Sequence, residues 1–188
     1  MTAPQTSSTR LSVNDWITAG LELLSEDGIG GVKIQKLCDR LGVTKGSFYW
    51  HFTDLDAFLG AMAKHYEDGA RIFRDQFTAM AHQEPDKTLS DSVHFSFDNH
   101  LGRMERAMRD WARSDDRARA AIEASDRLGF AAIRESFELL GFTTDEADIR
   151  AKTLFYAGVG FGDVGPGLGS QREPHKQLAA MMELLTRR

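Results

Sequence analysis

The chain has 188 residues, 41% hydrophobic and 27% charged, with 28 Asp and Glu against 23 Lys and Arg for a formal net charge of −5. That balance supports a packed core in one large domain or two small ones, and it argues against a protein that coats nucleic acid over its whole surface. No apolar run approaches the ~20 residues that a membrane span needs, and a single cysteine, Cys38, permits no intramolecular disulfide, which fits a reducing cytoplasm.

The opening MTAPQTSSTR lacks the charged-then-apolar order of a secretory signal and reads as a disordered arm over residues 1–10. From Leu11 to Asp27 the apolar positions Val13, Trp16, Ile17, Leu21 and Leu24 recur at spacings of three and four, the period of a helix. Ser12 with Asp15 three residues on is a capping-box pattern, and Gly28, Gly30 and Gly31 end the helix. Ile34, Leu37, Cys38 and Leu41 line one face of a second, two-turn helix, and Gly42 stands where a left-handed residue commonly stops one. Thr44 is placed to cap a third short helix over about 45–51. Two short helices joined by Leu41-Gly42-Val43-Thr44 form a helix-turn-helix arrangement.

The third helix holds the unbroken run Phe48-Tyr49-Trp50-His51-Phe52. Phe48 and Phe52 are four apart and share a face with His51 beside them, while Tyr49 and Trp50 are rotated about 100° and 200° away. One short helix of a three-helix domain does not bury all five, so the expected split is Phe48 and Phe52 inward, Tyr49 and Trp50 outward. Thr44, Lys45, Gly46 and Ser47 occupy the first turn, where free N–H groups favour phosphate. Between 33 and 52 the charges are Lys33, Lys36, Arg40 and Lys45 against Asp39 alone, a local reversal of the chain's acidity.

Long helices follow: about 54–80, 88–113, 116–140 and 144–162, then a loop GDVGPGLGSQREP and a last amphipathic helix from about His175. Pro85 breaks the first of these. The fold class is therefore all-α, with a boundary near residue 54. Gly160 to Gly165 matches GxGxxG, but a helix precedes it and Pro166 follows, the wrong surroundings for dinucleotide binding. Asp91, His94 and Asp98 share a helix face at feasible ligand spacing, yet soluble helices carry such residues on wet faces routinely, and no metal is assigned. Cys38 reads as a buried structural thiol. No nucleophile, base and orienting group form a recognisable set, so the reading is of a non-enzyme without cofactor. A helical small-molecule-binding protein or enzyme without DNA binding is the alternative, resting on the aromatic and Met stripes of the later helices.

The stretch GIGGVKIQKLCDRLGVTKGSFYWHFTDLDAFL, residues 28–59, resembles the DNA-binding segment of TetR-family transcriptional regulators. Gly28, Val32, Leu37, Leu41 to Thr44, Gly46, Phe48, Tyr49, His51, Phe52 and Leu59 fall in order at family spacing. The resemblance implies a helix-turn-helix DNA-binding domain over 11–53 and a ligand-binding and dimerisation domain over 54–188. It implies a cytoplasmic homodimer that binds a double-stranded DNA operator, has no membrane association, and acts as a repressor released by a small hydrophobic or aromatic effector. The DNA contacts carried over are Lys33, Thr44, Lys45, Gly46, Ser47, Tyr49, Trp50 and His51, with Tyr49 on phosphate and Lys45, Ser47 and Trp50 reading sequence. For the effector pocket the expected residues are Phe97, Met104, Trp111 and Phe155. The dimer face is expected on the helices at 116–140 and 144–162. Two positions depart from the family: Lys33 stands where Thr or Ser caps the second helix, and Leu55 stands where many members carry Lys.

Overall fold

A computed structural model describes residues 11–96, 99–164 and 174–187. The described residues are helical with no strand: α1 Val13–Asp27, α2 Ile34–Leu41, α3 Lys45–His51, α4 Leu55–Ala81, α5 Pro85–Ser96, α6 Asn99–Ala112, α7 Asp116–Leu139, α8 Thr144–Val164 and α9 Pro174–Thr186. The backbone divides into two compact units, one up to Met62 and one from Ala63 onward, and α4 contributes to both. The arm expected at 1–10 lies outside the described residues, as do Phe97, Asp98 and most of the loop after α8.

In the first unit the local signals act as their chemistry dictates. Ser12 accepts from the Asp15 amide while the Asp15 carboxylate accepts from the Ser12 amide, the reciprocal pair that starts α1. Gly42, at φ 66°, closes α2 in the left-handed region. The core is aromatic. Phe48 is wholly buried with ring centroids 5.4 Å from Trp16, 5.4 Å from Phe52 and 5.7 Å from Phe58. Phe52 and Phe58 meet edge-on at 4.9 Å. Leu37 and Cys38 seat α2 on the same core. Burial pushes the Cys38 thiol up, so it is a poor nucleophile, as a structural cysteine should be.

In the second unit α7 packs along α6 and α8, and α5 lies against α7 and α9. Its core gathers Phe77 and Ala81 of α4, Leu89 of α5, Ala132 and Phe137 of α7, Ala147, Ala151 and Leu154 of α8 and Met182 of α9, closed by Phe142. A polar network crosses α4, α6 and α7. The Tyr66 hydroxyl donates to Glu105 at 3.0 Å, and the Arg109 guanidinium forks onto Asp126 at 2.6 and 3.0 Å while also reaching Glu105 at 2.6 Å. Burial, with Glu105 beside it, pushes the Tyr66 phenol up, so it stays a neutral donor.

Two boundaries differ from the sequence reading. Pro85 does not merely break α4; it is the first residue of α5, where its missing N–H is one that no helix would satisfy and its fixed φ suits the first turn. α8 runs on to Val164, so Gly160 and Gly162 of the GxGxxG match are helical. The stretch expected as one helix over 88–113 is covered by α5 and α6, with 97 and 98 outside the described residues.

Asp115 caps α7, accepting from the amides of Arg117 and Ala118 and from the Arg117 guanidinium. The Arg117 side-chain hydrogen bond, then the backbone amides, hold its carboxyl at about 2 despite partial burial. A carboxyl depressed on folding stabilises above its unfolded value of about 4 and loses that contribution as pH falls toward 2. Asp115→Ala is expected to cost about 1–2 kcal/mol at neutral pH. Parallel thermal melts of variant and native protein should converge between about pH 4 and pH 2; a pH-independent gap would disprove the assignment.

Candidate nucleic-acid interface

α3 positions the aromatic run. Its inward face is anchored by Phe48, and the Cα rotation between neighbours turns the next two rings away: Tyr49 is 56% exposed and Trp50 71% exposed. The expected split of the five aromatics is therefore the observed one. His51 is half-buried, with its ring 6.3 Å from both Trp16 and Phe52, so it leans toward the core and not outward with Trp50. Lys45 and Gly46 are exposed and Ser47 half-buried. A Cβ built on Gly46 would touch only the Thr44 hydroxyl, at 3.6 Å, so the surface there is open.

Thr44 needs correction. It holds the N-cap position with extended backbone, but its hydroxyl makes no capping hydrogen bond. The first-turn amide of Ser47 instead bonds the Thr44 carbonyl at 3.0 Å. Lys33 begins α2 in extended conformation without a side-chain cap, as an ammonium group must, since it has no acceptor. Leu55 opens α4, where Asp54 supplies the cap, accepting from the Ala57 amide at 2.8 Å.

The basic excess of residues 33–52 is local to the sequence and does not survive folding. Lys36 donates to Asp27 of α1 at 2.7 Å. Arg40 reaches Glu22 at 3.2 Å and pairs with Glu26, both on α1. The Arg40 hydrogen bond holds the Glu26 carboxyl below its ordinary value, and Lys36 does the same for Asp27. Among the described residues of this unit, Lys33 and Lys45 are the cations without an ion pair. Sequence reading counted charges along 33–52 and missed Glu22 and Glu26, spaced i, i+4 on the preceding helix.

The residues expected to line an effector pocket are less unified. Trp111 is buried in the second unit, Met104 is half-buried, and Phe155 packs on Phe130 at 6.4 Å. Phe97 lies outside the described residues. A shallow groove lined by Glu146, Ile149, Arg150, Thr153 and Leu185 contains none of the four. Asp91 of the weighed Asp91, His94, Asp98 set is exposed; His94 and Asp98 have no described side chain, and no metal-binding group of three occurs among the described residues. No described helix is long and apolar enough to cross a membrane.

Residues 17–62 match the family model for bacterial regulatory proteins of the tetR family. Over 56 residues the chain is 45% identical to the class A tetracycline repressor protein of transposon 1721 from Escherichia coli, covering 30% of this chain and 26% of that protein. Over 54 residues it is 43% identical to the class D tetracycline repressor of Escherichia coli, covering 29% and 25%. These matches span about a quarter of the relatives' length. Solved structures extend the likeness of fold to nearly the whole chain. A Mesorhizobium loti protein assigned to the TetR family superposes with TM-score 0.71 at 16% identity, covering 93% of this chain and 92% of that one. The transcriptional regulator FadR from Bacillus subtilis, in complex with stearoyl-CoA, gives 0.63 at 14% identity, covering 93% and 98%. Residues 17–62 therefore carry the N-terminal segment of the tetR family of bacterial regulatory proteins, within a fold that the chain shares with these solved structures.

Proposed function

We propose that the protein is a cytoplasmic homodimeric repressor whose reader, residues 11–53, docks α3 in the major groove, and whose remaining residues bind a hydrophobic or aromatic effector that releases the operator. The observation that carries this is the pair Tyr49 and Trp50, exposed beside Lys45 on a helix whose other face is locked by Phe48. Two neighbouring exposed aromatics on a short helix need a use, and a Tyr hydroxyl, an indole N–H and an ammonium are donors that suit phosphate oxygens and base edges. Tyr49 is assigned to phosphate; Lys45, Ser47 and Trp50 to bases; Lys33, Thr44 and Gly46 to the backbone approach. His51 supports the helix end more than it reaches outward.

Dimerisation through α7 and α8 is supported by α8, which is apolar on two sides. Ala147, Ala151 and Leu154 face the core, while Ile149 is 65% and Tyr156 67% exposed. The Bacillus subtilis FadR, of like fold, is in complex with stearoyl-CoA, whose acyl chain is apolar, and this supports a hydrophobic effector. Met104, Trp111, Phe155 and Phe97 remain the proposed pocket. An effector that favours one dimer spacing by about 1–3 kcal/mol changes operator affinity roughly 5–150-fold.

Selection from a random duplex library tests the reading. Enrichment of a two-fold symmetric site, with half-sites about one helical turn or more apart, is the expected result. On that site Tyr49→Phe should weaken binding about equally on all sequences, whereas Trp50→Ala should relax base preference by about 1–3 kcal/mol. Recovery of no preferred sequence would end the proposal.

A further inference from the structure

Residues 11–62 carry seven carboxylates against four Lys and Arg side chains, an unusual charge for a surface that must meet phosphate. Two of those four cations are already occupied. Arg40 is bracketed by Glu22 and Glu26, and Lys36 by Asp27, all four contacts made between α1 and α2. The Arg40 side chain is 28% exposed while its two glutamate partners are 51% and 55% exposed, so the bracket presents carboxylate to solvent in place of guanidinium. Lys33 and Lys45 are left for phosphate and bases.

We infer that Glu22 and Glu26 are specificity-determining residues: by holding Arg40 they remove a cation from the reader and suppress sequence-independent DNA binding. Non-specific affinity is almost wholly electrostatic and scales with the number of phosphates neutralised. Specific affinity also draws on base contacts, here Lys45, Ser47 and Trp50, which the bracket leaves intact. Subtracting cations therefore lowers the first more than the second and widens their ratio. The bracket acts through Arg40, so Glu22 and Glu26 are positioning residues with no contact to DNA. This inference rests on the DNA-binding reading above.

The test uses the full-length protein, the duplex enriched from the random library and a scrambled duplex of equal length, titrated between about 50 and 200 mM salt. If a dimer uses only Lys33 and Lys45 from each subunit, the log–log salt slope on the enriched duplex is no steeper than about −4, against about −7 if all four cations engaged. Arg40→Gln should leave slope and affinity on that duplex unchanged, whereas Lys33→Gln, at the cation assigned to the backbone, should make the slope shallower by about one per subunit. Glu22→Gln with Glu26→Gln should strengthen binding to the scrambled duplex roughly threefold or more and steepen its slope. The idea is overturned if Arg40→Gln itself flattens the slope by about one per subunit, which would mean that Arg40 touches phosphate. It is also overturned if a folded Glu22, Glu26 double variant, checked by circular dichroism, binds scrambled DNA no better than native protein. Should that variant not fold, the Arg40→Gln slope alone decides. Absence of any enriched sequence would instead overturn the DNA-binding reading, and this inference with it.

Discussion

Phe48→Ala is expected to unfold the reader and abolish DNA binding at physiological temperature. The ring is fully buried and touches Trp16, Phe52 and Phe58 at once, so truncation opens a cavity in the centre of a small core. Removing a buried Phe typically costs about 3–5 kcal/mol, and whole domains are stable by only about 5–15 kcal/mol. A unit of this size sits toward the low end of that range. Trp50→Ala removes a larger ring two residues away, yet it should change stability by no more than about 0.5 kcal/mol because that side chain is mostly in solvent. Hydrogen exchange localises the effect: amides of α1 to α3 should lose protection in Phe48→Ala, while those of α7 and α8 keep it. Equal destabilisation by the two variants would contradict the assignment of Trp50 to the DNA-facing surface.

What was legible in the sequence was what is decided within a few residues. Ser12 and Asp15 satisfy each other's amides three positions apart, Gly42 suits a positive φ that most residues avoid, and the angle between Phe48 and Trp50 follows from helical rotation. These needed no knowledge of what packs where. The Arg40 bracket was not legible from residues 33–52, since its carboxylates lie 14 and 18 residues away and only the packing of α1 on α2 brings them within reach. The Thr44 hydroxyl shows a different limit: composition places a capping residue, but a side-chain torsion decides whether it caps. The pocket residues show a third. Helical period puts Met104, Trp111 and Phe155 on inward-facing stripes, and it is silent on whether an inward face meets a ligand or a neighbouring helix, as Phe155 meets Phe130.

Gly20→Ala should destabilise the reader, against the usual rule for a glycine inside a helix. In α1 the added methyl would improve helix propensity by about 1 kcal/mol. Its Cβ, however, would lie 2.6 Å from Phe58 Cζ and 2.8 Å from Met62 Sδ, both far inside van der Waals contact. Neither neighbour has room to retreat: Phe58 and Met62 are fully buried, and Phe58 is wedged between Phe48 and Phe52. Overpacking of this kind costs about 1–3 kcal/mol, so after the propensity gain a net loss of up to about 2 kcal/mol is expected. Gly69 of α4 provides the contrast. It too is mid-helix, but a Cβ there meets nothing within 4 Å, so Gly69→Ala should gain up to about 1 kcal/mol from propensity and reduced unfolded-chain entropy. Urea denaturation of the two variants should move the midpoint in opposite directions. If Gly20→Ala stabilised the protein as well, α1 would not be seated as closely on α4 as these distances require, and the aromatic core that aims Tyr49 and Trp50 outward would be looser than described.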